Sequence, residues 1–168
     1  MNLPPELFSG LAVLTAVGCG LIGGLLFAFS NFVMKALAEQ PPESGIRTMR
    51  AINRRILNPL FLSVFMGTAL ASAILLAAAF FGNTGMRHPF LICGGLLYLL
   101  GGFGVTAVVN VPLNNRLEAL DPASPEASRF WPEYVSRWVK WNHFRAAASL
   151  AASALIILAL RHAPSSLE

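Results

Sequence analysis

The sequence predicts an all-α, polytopic membrane protein: a four-transmembrane-helix bundle with a short interfacial amphipathic helix in the first cytoplasmic loop. Three observations predict it. The 168 residues are 55% hydrophobic and only 12% charged, about half the charged share usual in soluble domains. The charges are also absent in blocks, with no Asp, Glu, Lys or Arg from Leu7 to Met34, from Ile56 to Met86 or from His88 to Asn115. Finally, runs such as LLYLLGGFGVTAVV have no polar face recurring every 3.6 residues, which a soluble helix would show.

A stretch of about 20 predominantly apolar residues crosses the ~30 Å hydrocarbon core of a bilayer. On that length the spans are residues 8–34, 59–81, 89–111 and 141–160, within a single membrane domain, 1–168. The first run lacks a basic leader and outlasts a signal-peptide core, so it reads as a permanent helix. Small residues recur in every span: Gly20 and Gly24 in the first, Ala69, Ala73 and Ala77 in the second, five glycines from Gly94 to Gly104 in the third, and Ala148 and Ala152 in the fourth. In lipid such surfaces let helices approach closely, so one compact bundle is expected. Cys19 and Cys93 lie inside apolar runs and read as single thiols rather than a disulfide framework.

Between the first two spans, Ile46, Met49, Ile52 and Ile56 recur at helical spacing, with Arg47, Arg50, Arg54 and Arg55 largely on other faces. A basic amphipathic helix over about 46–57 is expected to lie in the membrane interface. Trp131, Tyr134, Trp138 and Trp141 precede the last span and are expected to form an interfacial aromatic belt. The net charge is +4, and the basic residues gather in segments 35–57, with Lys35, Arg47, Arg50, Arg54 and Arg55, and 112–140, with Arg116, Arg129, Arg137 and Lys140. By the positive-inside rule both long loops are cytoplasmic and both termini lie on the other side of the plasma or inner membrane. Membrane lipid is the partner this pattern implies. No soluble basic face or nucleic-acid module is present, so no nucleic-acid role is expected.

The polar residues gather at one end of the bundle. The first span leaves through Ser30, Asn31 and Lys35, the second enters from Asn53, Arg54 and Asn58, the third leaves through Asn110 and Asn114, and the fourth enters from Lys140, Asn142, His143 and Arg145. The run Ala146–Leu160 covers only about 22 Å at 1.5 Å per residue, so residues 141–145 are drawn just inside the boundary. An arginine there pairs, snorkels or faces a wet cavity. On an ideal helix Asn142 and Arg145 share a face, whereas His143 lies about 100° from the first and 200° from the second. One of the two faces is the site and the other an anchor.

Metal chemistry is poorly supplied: the histidines are His88, His143 and His162, no two at ligand spacing, and no carboxylate lies inside a span. No metal site, no serine-hydrolase triad and no proton-driven transporter is therefore expected.

The pieces GLLFAFSNFVMKAL, MRAINRRILNPLFLSVFMGTA, NVPLNNRLEALDP and WVKWNHFRAAASLAA resemble the anthrone oxygenase-like membrane proteins, a family that also holds bacterial domains of unknown function. The resemblance covers roughly residues 10–160. It implies a four-helix integral membrane protein whose fungal relatives oxidise anthrones to anthraquinones with molecular oxygen and without an evident cofactor. Asn110, Pro112, Asn114, Trp141, Asn142, His143 and Arg145 fall on the family's motif positions, and Lys35 stands where many relatives are expected to have proline. The reading that joins this to the residues makes His143 the base, and Arg145, with Asn142 and Asn110, the stabiliser of an enolate oxygen. Asn31, Asn58, Asn114 and Trp141 would hold a hydrophobic aromatic substrate. The alternatives are a non-enzymatic bundle that binds lipid or a membrane partner, with the asparagines as clamps, and a small-solute transporter. A cavity at the polar end favours the enzyme, whereas Arg145 facing lipid favours the non-enzymatic bundle.

Overall fold

The computed structural model describes residues 4–81 and 89–161, and the described chain is helical with no strand. Five helices follow one another: α1, Pro5–Ala38; α2, Pro42–Ile56; α3, Pro59–Phe81; α4, Pro89–Ala119; and α5, Pro125–Arg161. Each begins on a proline, whose missing N–H is no loss at a first helical position and whose fixed φ suits it. Side chains complete two of these starts. Asn58 Oδ1 accepts from the Phe61 amide at 3.0 Å and Ser124 Oγ from the Ala127 amide at 3.1 Å, satisfying donors that a helix N-terminus leaves free.

Four of the helices, α1, α3, α4 and α5, are long and apolar enough to cross a membrane, which makes this a multi-pass membrane protein. At 1.5 Å per residue α1, α4 and α5 reach about 51, 46 and 55 Å, well past a ~30 Å hydrocarbon core. They extend together beyond the end that carries the α1–α2–α3 and α4–α5 connections. Two cores follow from this. One, inside the membrane bundle, holds Cys19, Ile22, Phe65, Leu75, Tyr98, Ala152 and Ile156. The other, in the projecting head, holds Met34, Ile46, Met49, Leu117, Phe130, Trp131, Tyr134 and Trp138.

The expected amphipathic helix exists as α2, and Ile46 and Met49 of its apolar face are buried in the head core. It docks closely, because a Cβ on Gly45 would stand 2.8 Å from the Trp131 ring and from the Leu37 carbonyl oxygen. The aromatic belt is likewise mostly interior: Trp131, Tyr134 and Trp138 are buried, and only Trp141 of the four is exposed. The cause is the continuity of α5 from Pro125, through Pro132, to Arg161, which turns the expected loop at 125–140 into helix with an inward face.

Helices α1 and α4 are not regular α-helix throughout. Phe29–Val33 in α1 and Leu97–Gly104 and Thr106–Asn110 in α4 form wider π turns. The Met34, Val105 and Val111 amides bond five residues back, to the carbonyls of Phe29, Leu100 and Thr106. Pro112 gives a local reason in α4: it lacks an N–H and crowds the carbonyl four residues earlier. Single-turn widenings of this kind re-phase a helix and free its carbonyls. Close approach of α4 to α5 needs glycine, since a Cβ on Gly101 would lie 2.5 Å from that of Ala148.

His88 and His162 lie outside the described residues.

Candidate functional site at the junction of membrane bundle and head

Where the two cores meet, the helices enclose a cavity of about 410 Å³. Its walls come from Leu25, Leu26 and Phe29 of α1, from Met49 to Ile56 of α2, from Phe61 to Met66 of α3 and from Thr106 to Glu118 of α4; Trp138 and Arg145 of α5 complete it. The volume falls in the range of small-molecule sites, and so does the lining, mostly apolar with a few convergent polar groups.

Arg145 is the centre of those groups. It is 5% exposed, and one of its terminal nitrogens donates to Asn142 Oδ1 at 3.0 Å. Asn142, fully buried, donates from Nδ2 to the Leu26 carbonyl and to Ser30 Oγ, both at 2.6 Å. Ser30 lies in the π turn of α1 and Leu26 three residues ahead of its start. The local widening of α1 therefore sits beside the acceptors that hold Asn142, and Asn142 in turn aims the guanidinium. Arg145 Nε is buried without a partner. Among the described residues the ion pairs are Arg47–Glu43, Arg50–Glu118, Arg54–Glu118 and Arg137–Glu133. None reaches Arg145, and Glu118, the carboxylate in the cavity wall, pairs with Arg50 and Arg54 instead, so this buried cation is not neutralised.

On α4, Asn110 is 2% exposed; its Nδ2 donates to the Trp138 carbonyl at 3.4 Å and its Oδ1 has no partner. Asn114, one turn on, accepts through Oδ1 from the Tyr134 hydroxyl at 2.8 Å and from Trp138 Nε1 at 3.0 Å. These bonds fix α4 to α5 and present the Trp138 ring, 6.0 Å from that of Phe29, to the cavity. The deeper wall is aromatic, with Phe65 stacked between Phe61 and Phe103 at centroid distances of 5.6 and 5.4 Å.

The structure thus brings Arg145, Asn142, Asn110 and Asn114 together. It does not bring the other four expected residues to them. His143 is exposed, as are Trp141 and Phe144, whose rings are 6.2 Å apart. Asn31 is exposed on α1, and Asn58 is spent capping α3. The physical reason is angular: with Asn142 and Arg145 turned inward, the residue between them must point away from the bundle. Residues to which the sequence assigned no site role are Ser30, Thr106, Phe61, Phe65 and Glu118. Ser30 carried the one usable signal, a hydroxyl level with the other polar exits.

At the head end of the cavity Glu118 accepts from Arg50 at 3.1 and 3.2 Å and from Arg54 at 2.8 Å. The hydrogen bonds from Arg50 lead in holding its carboxyl below the ordinary range, against a smaller opposing effect of burial; those from Arg54 add to them. Arg54, Asn115 and Glu118 give this mouth a polar rim.

Fold and site together define a multi-pass helical membrane protein with a buried cation over an aromatic-walled cavity. A family model for anthrone oxygenase matches residues 60–155, more than half of the chain, and the chain belongs to that family. No curated protein and no solved structure matches it. The matched region contains Asn110, Asn114, Trp138, Asn142 and Arg145, while α1 and α2, which hold Asn142 and wall the cavity, lie outside it.

Proposed function

We propose that the protein is an oxygenase that converts anthrone-like or related electron-rich phenolic molecules to quinones with molecular oxygen. The observation that carries this reading is Arg145: a buried guanidinium with a free Nε, no acidic partner among the described residues, and a cavity in front of it. A cation so placed is costly in a membrane protein unless it pairs or meets water, and a ligand with negative charge would pair with it. An enolate does so. A pre-positioned cation and amide favour the enolate over its parent ketone, because the charge develops on the oxygen they face.

In the scheme, the benzylic C–H of an anthrone loses a proton to water admitted through the polar mouth, while Arg145 holds the oxygen that gains charge. Oxygen is then reduced by the enolate and bonds to the same carbon. The O–O bond breaks with loss of that carbon's second hydrogen, giving one quinone and one water for each anthrone and oxygen consumed. Asn142 positions Arg145, and Asn110 Oδ1 accepts a donor on the ligand. His143 takes no part, since it faces outward. The head and its basic α2 are placed in the cytoplasm by the positive-inside rule.

The test is turnover of anthrone under oxygen-18 gas by purified protein in lipid nanodiscs. Oxygen uptake above the empty-disc rate, with one oxygen-18 in the quinone, is the expected result. Uptake no faster than autoxidation would overturn the reading, in favour of a non-catalytic binding bundle.

A further inference from the structure

The cavity has two openings of opposite character. One is the polar rim of Arg54, Asn115 and Glu118, drawn together by the Glu118 ion pairs. The other lies in the side wall. Leu62 and Met66 of α3 and Val111 of α4 all line the cavity, yet they are 37%, 51% and 42% exposed. A residue that both lines a cavity and meets the surroundings marks an opening.

Its place follows from how α3 is turned. Leu76 of α3 packs on Gly95 of α4 and Thr68 on Gly18 of α1. At 100° per residue Leu62 and Met66 lie about 40° and 80° from Leu76, on the side away from Thr68. They therefore face the α4 side. There α3 packs on the Pro89–Gly104 part of α4 but makes little contact with Thr106–Ala119. Helices α3 and α4 diverge where α4 takes its second π turn, beside the cavity. Leu62 and Met66 stand about 4 and 10 Å along α3 from its first residue, inside its apolar stretch, so acyl chains surround this gap.

We propose that the cavity loads sideways from the bilayer, through the gap between α3 and α4 framed by Leu62, Met66 and Val111, and takes a planar aromatic molecule already dissolved among the acyl chains. The proposal rests on the reading above only in taking the cavity as the ligand site. An apolar ring system entering here crosses no charged group and meets the Phe65 ring before Arg145. The polar rim is left to water and protons.

A probe that cannot leave the bilayer tests the route. The full chain, in nanodiscs containing a phospholipid with a photoactivatable aryl azide midway along one acyl chain, is irradiated and its labelled peptides are mapped by mass spectrometry. The expected result is label on Phe65 and Trp138, several-fold less in the double variant Met66→Trp/Val111→Trp and unchanged in Glu118→Gln. Should the double variant not fold, Leu62→Trp blocks the same gap. Label confined to outward residues such as Leu70 and Leu100, with a water-soluble charged aryl azide reaching Phe65 instead, would overturn the proposal. Labelling needs no turnover, so cavity label without oxygen uptake would sink the oxygenase reading alone.

Discussion

Replacing Arg145 by methionine separates what this side chain contributes to folding from what it contributes to chemistry. Methionine keeps much of the length and the apolar stem and removes the charge. On the stability side, the variant loses one charge-assisted hydrogen bond, to Asn142 Oδ1 at 3.0 Å, worth about 1.5–3 kcal/mol. Against this, an unpaired cation just inside the end of a membrane span carries a cost of its own, at most the ~2.5–3.5 kcal/mol that insertion scales give at the span centre, and no acid offsets it among the described residues. Asn142 keeps both of its own donor bonds, to Leu26 and Ser30, so the α1–α5 contact survives. The two effects oppose each other, and the melting temperature of Arg145→Met in detergent is expected to stay within a few degrees of that of the parent. On the catalytic side, loss of a charge-stabilising donor costs about 10²–10³ in kcat. The assays are thermal unfolding and initial oxygen uptake with anthrone on the same preparation. A variant that unfolds many degrees earlier, or one that retains full turnover, would refute the reasoning: the first would make Arg145 a structural clamp, the second a bystander.

Four further outcomes follow from the same geometry. Asn142→Leu removes two interhelical hydrogen bonds and the acceptor that aims Arg145; it should lower stability by about 0.6–1.7 kcal/mol per interhelical bond and cut turnover as well, read by the same pair of assays. His143→Ala, at an exposed position, should change stability by no more than about 0.5 kcal/mol and leave oxygen uptake at the parent rate; a large loss would restore His143 as the base. Gly101→Val places side-chain atoms where Ala148 already stands, with the Cβ contact at 2.5 Å, and should destabilise the α4–α5 pair by about 1–3 kcal/mol, seen as a lowered melting temperature. Glu118 has a depressed carboxyl pKa in the folded protein, so its contribution is present above the ordinary carboxylate range and is lost as pH falls through the lower folded value. Glu118 and Arg54 are partly open to solvent, at 42% and 60% side-chain exposure, which limits that contribution to about 1 kcal/mol or less. A pH series of melting temperatures should lose this acid-limb dependence in Glu118→Gln.

Parts of this molecule were legible from its residues and parts were not. The four spans were, because the bilayer imposes a length of apolar chain and the charge-free blocks display it. The gathering of Asn110, Asn114, Asn142 and Arg145 at one end was legible too, from the depth to which a short apolar run in α5 pulls its flanking residues. The inward face of α5 was not. Asn142–Arg145 and His143 were equally available until the Leu26 carbonyl and Ser30 were seen to hold Asn142. Trp131, Tyr134 and Trp138 read as membrane anchors, since a belt and a head core use the same aromatic composition. What separates them is whether α2 covers them, and that is a contact between segments about 80 residues apart.

By itself, then, the sequence determined that the chain is a membrane bundle with its polar chemistry at one end, because insertion energetics depend on composition and order along the chain. The tertiary structure alone decided which residues meet. Helix rotation near a boundary is set by packing of small surfaces, by π turns in α1 and α4, and by hydrogen bonds to carbonyls that no local pattern announces. Those choices turned Arg145 into the cavity, His143 out of it, and left α3 parted from α4 beside the only unneutralised buried cation among the described residues.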